Sequence, residues 1–108
     1  MTKQLLPKVI GVFLFASLAW AQQAEISGFI KDPSGGVVPK AQVTLTNLGT
    51  NLQLIGSSNS EGLYRLSSLS PGVYRLAVEA PGFEQRVIDN ITIEVAAKVT
   101  VNINLSVG

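Results

Sequence analysis

The side chains able to move protons or hold ions in this chain are few and scattered. The carboxylates are Glu25, Asp32, Glu61, Glu79, Glu84, Asp89 and Glu94, and the sequence contains neither histidine nor cysteine. Those two absences remove most familiar chemistries. A zinc site is built mainly from imidazole and thiolate ligands, and a serine or cysteine hydrolase normally passes its proton through an imidazole. Carboxylates and carbonyls alone suit calcium or magnesium, yet no Asp-x-Asp-x-Asp-Gly run gathers these acids into a calcium loop. Asp32, Glu61 and Asp89 each lie beside turn-forming residues, where a carboxylate usually caps backbone N–H groups. The expectation is a protein that is not an enzyme, with no catalytic residue, no cofactor and no metal site.

Groups suited to ligand recognition are equally sparse. Beyond residue 21 the bases Lys31, Lys40, Arg65, Arg75, Arg86 and Lys98 are spread singly, and nothing resembles the basic stripe that nucleic-acid binding requires. The aromatic residues there are Phe29, Tyr64, Tyr74 and Phe83. Carbohydrate platforms usually present exposed rings, and strand parity leaves only Phe29 on an outward face. A single exposed Phe fits an edge or partner contact more readily than a sugar platform. Two sequons occur, at Asn90 and Asn104; Asn104 and Ser106 are the outward positions of the last strand, and both sequons read as chance matches.

The first residues carry an address rather than a fold. Lys3 and Lys8 precede an apolar run from Val9 to Leu18, followed by Ala19-Trp20-Ala21 and the polar pair Gln22-Gln23. This is the order of a secretory signal peptide cleaved between Ala21 and Gln22. A membrane span needs roughly 20 apolar residues, and this run is shorter, so no membrane-spanning segment is expected after cleavage. With no cysteine, a lipid anchor on a mature N-terminal thiol is excluded. Loss of Lys3 and Lys8 turns the net charge from +1 to −1. The organisation expected is thus a signal peptide over residues 1–21 and one domain over 22–108.

That domain reads as all-β. "KVTVNINLSV" alternates Val99, Val101, Ile103, Leu105 and Val107 with polar residues, a period of two that marks a half-buried strand. Shorter pieces repeat the pattern: Ile26, Gly28 and Ile30 share a face, as do Ala41, Val43 and Leu45, and Ile91, Ile93 and Val95. Alternation does not assign a face to residues 52–58. "DPSGG" and "NLGTN" supply turns between strands. "GLYRL" at Gly62 and "GVYRL" at Gly72 each follow turn chemistry, with glycine admitting a positive φ and Tyr64 and Tyr74 taking the first inward steps. No window shows a helical apolar face. Short strands at this spacing specify an antiparallel β-sandwich.

The runs "ISGFIKDPSGGVVPKAQVTLTN" and "NSEGLYRLSSLSPGVYRLAVEAPGF" resemble the carboxypeptidase regulatory-like domain, a seven-stranded prealbumin-like sandwich akin to starch-binding folds. The resemblance spans about residues 24–107 and puts Gly28, Gly62, Tyr64, Leu69, Pro71, Gly72, Tyr74, Gly82 and Phe83 on the family's structural positions. Domains similar to this stand at the N-terminus of TonB-dependent, Oar-like outer-membrane receptors. The resemblance implies a structural or protein-interaction module in the periplasm, at the cell surface or outside a bacterium. Its partner would be a protein or, as an alternative function, a polysaccharide. "YRLAVEAPGF" is also similar to a motif of collagen-adhesin B-type sandwiches, which form Lys–Asn isopeptide bonds beside a buried Glu. Parity opposes that chemistry here, because Glu79 falls on the face opposite Tyr74 and Leu76.

Export predicts a defined N-terminus. Intact mass of the protein recovered from a periplasmic or culture fraction should match a chain starting at Gln22, whereas recovery only as an uncleaved membrane-embedded chain would refute the leader assignment.

Overall fold

The computed structural model describes residues 23–108, so Ala19, Ala21 and Gln22 of the expected cleavage site lie outside the described residues. The strands are β1 (Ala24–Lys31), β2 (Gln42–Asn47), β3 (Gln53–Ser57), β4 (Leu63–Leu69), β5 (Gly72–Glu79), β6 (Arg86–Ile93), β7 (Lys98–Thr100) and β8 (Ile103–Asn104). They form two sheets. One has the order β4-β1-β7, with β8 also pairing β1, and the other the order β3-β2-β5-β6. There is no helix among the described residues, and the fold is the expected all-β sandwich.

Period-two patterning explains most of it. Ala24, Ile26 and Ile30 of β1, Val43 and Leu45 of β2, and Tyr74, Leu76 and Val78 of β5 are all buried. Facing sheets bury these alternate side chains in one shared core. Each buried aliphatic contributes about 1.5–3 kcal/mol, the main return against backbone ordering. The two Gly-x-Tyr-Arg-Leu segments open β4 and β5, which belong to different sheets. Tyr64 and Tyr74 therefore enter the core from opposite sides, 1% and 4% exposed. Both hydroxyls find main-chain acceptors, as buried polar groups must. Tyr64 donates to the Val101 carbonyl at 2.6 Å, and Tyr74 to the Ser70 carbonyl at 2.7 Å. Burial pushes the Tyr64 pKa well above its ordinary value of 10.0.

The last strand departs from expectation in two ways. It pairs with β1 in parallel, whereas all other strand pairs are antiparallel. It is also interrupted at Val101 and Asn102, which separate β7 from β8; taken as halves of one strand, these restore the seven expected. The cause is Gly28. A Cβ at this position would lie 2.0 Å from the Val101 carbonyl oxygen. The bare backbone lets that carbonyl fold inward to meet the Tyr64 hydroxyl. Val101 N donates to Ser27 O at 2.9 Å, and the Asn102 side-chain oxygen accepts from Phe29 N at 2.9 Å, replacing the missing ladder bond. Ile103 and Leu105 are buried beyond the break, while Val107 is 70% exposed rather than inward.

Other differences are local. Val95 lies past the end of β6 in a turn closed by Ala97 N to Glu94 O, and is 56% exposed instead of joining Ile91 and Ile93. Asp89 sits within β6 rather than at a turn, where it pairs with Arg75 of β5. Its neighbour Asn90 takes φ 58° at a register shift against β5, a bulge that local patterning does not announce. Gly62 has the expected positive φ of 77°, but Gly72 has none. The echo between the two segments thus concerns the inward Tyr rather than a common turn geometry.

Inward Tyr74 and outward Arg75 should separate cleanly on mutation. Tyr74→Ala is expected to cost about 3–5 kcal/mol, and Arg75→Ala, an exposed partner in a surface pair, at most about 0.5–1 kcal/mol. Urea midpoints of the two variants measure this directly, and equal midpoints would contradict the face assignment.

Candidate functional site

The polar outer face of the β3-β2-β5-β6 sheet runs into a corner where β5 turns toward β6. At that corner Lys40, Gln42, Glu79, Pro81, Phe83 and Gln85 line a cavity of about 440 Å³. A second concavity of about 580 Å³ continues over the outer face past Thr44, Thr46, Ala77 and Arg75 toward Asn51 and Gln53. Gln42, Glu79 and Gln85 line both, so the two form one open groove. Its floor is set by cross-strand register: Gln42 opposes Glu79, Thr44 opposes Ala77, and Thr46 opposes Arg75. Short side chains in the middle rows keep the floor low. Longer amides and charges stand at the corner.

Two devices hold the corner in shape. Ser58, the buried polar residue among those described, accepts from Ala41 N at 2.9 Å and donates to Val38 O at 2.7 Å. Main-chain bonds of Lys40 N to Ser58 O and Ser58 N to Ala41 O complete the clasp, with Lys40 at φ 61°. On the other side, the β5–β6 connection is tied to the end of the chain. Glu84 N donates to Ser106 O at 2.8 Å, and Phe83 bridges to Val107. Gln85 Nε2 donates to Glu79 Oε2 at 2.8 Å, fixing both side chains along the groove wall.

The carboxylates singled out in the sequence are dispersed over the fold. No group of three His, Cys, Asp or Glu residues that could hold a metal occurs among the described residues. Asp32 caps its own turn, accepting from the Ser34 hydroxyl at 2.7 Å and from Gly36 N at 2.8 Å. The Ser34 hydroxyl, followed by the Gly36 N–H, holds its carboxyl below the ordinary 3.8. Glu61 lies in the turn before β4, and Glu79 is outward, as parity requires. Phe29 is 43% exposed on the other sheet, away from the groove.

The residues singled out in the sequence do not converge on one site. Gly28 and Tyr64 meet at Val101, with Gly62 at the head of β4, its notional Cβ 2.9 Å from Ile30 O and from Val37 Cβ. Leu69, Pro71, Gly72 and Tyr74 form the crossing between the sheets, where Leu69 is buried and Pro71 exposed. Gly82, at φ 85°, and Phe83 belong to the β5–β6 connection. Of these, Phe83 alone lines the corner cavity, half-buried rather than enclosed in the core. Lys40, Gln42, Gln85 and Ser58 were not recognisable as a group. Gln42 reads only as an outward strand position, and residues 58 and 85 carry no local motif.

The sequence profile of the carboxypeptidase regulatory-like domain matches residues 25–106. The chain belongs to that family. No curated protein matches it in sequence. The domain is similar in structure to the Bacillus anthracis TIE protein, with a TM-score of 0.67 and 13% identity over 80% of this chain and 17% of that one. It is similar also to Acinetobacter radioresistens catechol 1,2-dioxygenase, with a TM-score of 0.63 and 11% identity over 86% and 54% of the two chains. A Bacteroides uniformis protein named as a candidate carbohydrate binder gives a TM-score of 0.62 and 17% identity over 76% and 40%. At these identities the likeness is one of fold, and this regulatory-like domain spans between 17% and 61% of such structures.

The Ser58 clasp gives a clear expectation. Ser58→Ala leaves Val38 O and Ala41 N without a buried partner and should lower stability by about 1–3 kcal/mol. Ser57→Ala, one exposed step away, should change it by about 0.5 kcal/mol or less. Denaturant midpoints of the two variants test this, and a neutral Ser58→Ala would remove the clasp from the account.

Proposed function

We propose that this regulatory-like domain is a non-catalytic binding module of an exported protein, with a structural or protein-interaction role. On this reading it forms the N-terminal part of a TonB-dependent-receptor-like outer-membrane protein, and it works through the groove on its outer sheet face. The observation that carries the reading is the continuity of that groove across Gln42, Glu79 and Gln85. An open, shallow, amide- and hydroxyl-lined surface suits an extended partner held by many modest hydrogen bonds. It encloses nothing that would need protecting from water during a reaction.

A second reading, polysaccharide binding, is favoured by one feature of the same groove. Phe83 and Pro81 provide apolar surface beside Gln42, Gln85, Glu79 and Lys40. Sugar recognition commonly combines an apolar patch for the ring face with planar amides and charges for the hydroxyls. The structural likeness to the Bacteroides uniformis protein supports the same idea.

Replacing Gln42 and Gln85 together with Ala distinguishes the readings, because both residues are surface-borne and the fold should tolerate the change. Calorimetric titration with a panel of soluble bacterial and plant polysaccharides should show binding that falls about tenfold or more, some 1.4 kcal/mol, in the double variant if sugar is the ligand. Capture of one defined envelope protein by the wild type and not by the variant would instead support the protein-interaction role. Stoichiometric zinc, or peptide hydrolysis that follows the folded protein through repurification, would overturn the non-catalytic reading.

A further inference from the structure

Each sheet has two edge strands, and three of the four edges are visibly guarded against further pairing. At β6, Arg86 and Asp89 bring charges and Asn90 a positive-φ bulge. At β4, Arg65 brings a charge and Ser68, at φ 61°, a second irregularity. The β7–β8 edge begins with Lys98 and is broken at Val101 and Asn102. Charges, bulges and interruptions are the usual means by which a sheet edge avoids pairing with another chain. β3 has none of these. Its sequence is Gln-Leu-Ile-Gly-Ser, no residue within it has a positive φ, and no charge occurs anywhere from Ala41 to Ser60.

The free side of β3 is also in a condition to pair. Asn47 N donates to Leu52 O, and Ser58 N to Ala41 O. With the β2–β3 register between them, antiparallel alternation makes Leu54 and Gly56 the residues bonded to β2. Gln53, Ile55 and Ser57 then direct their N–H and C=O groups away from the sheet. Leu52 is 72%, Leu54 44% and Ile55 63% exposed, so apolar surface accompanies the open backbone. Beneath them a cleft of about 280 Å³ lies open, lined by Leu45, Leu52, Leu54, Leu69 and Tyr74.

We propose that β3 is a self-association edge, pairing antiparallel with β3 of a second copy about a two-fold axis through Ile55. The register fits the strand's own chemistry. With Ile55 opposite Ile55, Gln53 faces Ser57 of the second copy, and all three outward-bonding residues on each strand find complementary groups. The alternate, closely spaced positions put Leu54 opposite Gly56 of the second copy, so the branched side chain meets a residue without one. An uncharged edge allows two identical strands to approach without the repulsion that like charges opposite each other would impose. Because β6 at the far side of the sheet is guarded, association closes at two copies, joining two four-stranded sheets into one of eight. The outer-face grooves of both copies would then lie on one continuous surface. Gln53 and Ile55 also line the far end of the groove, so the paired edge adjoins it whatever the groove binds.

Sedimentation velocity of the purified protein across a concentration series should reveal a reversible monomer–dimer equilibrium. Ile55→Lys and Ile55→Glu should each be monomeric, because each sets like charges against each other at the axis, with an unchanged far-ultraviolet circular dichroism spectrum. Mixing the two variants should restore the dimer, which loss of a merely structural contact would not do. If either variant fails to fold, the exposed pair Gln53→Lys and Gln53→Glu offers a second route. Each should leave the dimer in place, since Gln53 faces Ser57 rather than itself, whereas Gln53→Lys combined with Ser57→Lys should abolish it. A protein that stays monomeric to about 1 mM, the concentration matching only 4.1 kcal/mol of association, would overturn the proposal. So would a dimer indifferent to charge at Ile55.

Discussion

The contact on which the sandwich turns is the meeting of Gly28, Val101 and Tyr64. β1 is the inner strand of its sheet, bonded to β4 on one side and to β7 and β8 on the other. The Val101 carbonyl occupies the space that any side chain at position 28 would fill, and the Tyr64 hydroxyl satisfies it from β4. One small residue thus permits a backbone approach, one phenol makes that approach electrostatically acceptable, and three strands are fixed relative to one another. An unpartnered carbonyl at this depth would cost about 1–3 kcal/mol. In a domain with no disulfide that is a large share of the usual margin.

The second sheet depends on this joint indirectly. β4 passes into β5 through Ser70 and Pro71, and Tyr74 anchors that crossing by donating to the Ser70 carbonyl. The two tyrosines therefore do equivalent work at different points, each exchanging a water-bonded hydroxyl for a main-chain acceptor while filling the core with its ring. The groove lies on the far face of the second sheet, where shape is set by register and by the Ser58 clasp rather than by the core itself. Residues lining it can vary with little consequence for folding.

Much of this was legible in the sequence, for a simple reason. β1, β2 and β5 bury one face and expose the other, so alternation alone marks their strands and their inward residues. What escaped was set by distant neighbours. Nothing between Lys98 and Val107 signals that the strand breaks at Val101, because the cause is Gly28 on another strand. The bulge at Asn90 and the place of Asp89 within β6 answer to β5 in the same way. β3 gave no face because both its faces are largely exposed. The groove was missed for a related reason: Lys40, Gln42 and Gln85 come together only once β2 and β5 pair and Ser58 has closed over the segment before β2.

The parallel pairing of the first and last strands has a mechanical consequence. Glu25 lies beside Lys98 and Lys31 beside Asn104, so the two strands run in the same direction with their outer ends at opposite poles. A force pulling the beginning of β1 away from the end of β8 would slide these strands past each other. All the hydrogen bonds between them, and the Val101–Tyr64 joint, would then bear load together instead of opening one after another like a zip. Resistance to such a pull is a matter of unfolding rate rather than equilibrium stability. A domain this small can therefore be stiff along this one axis.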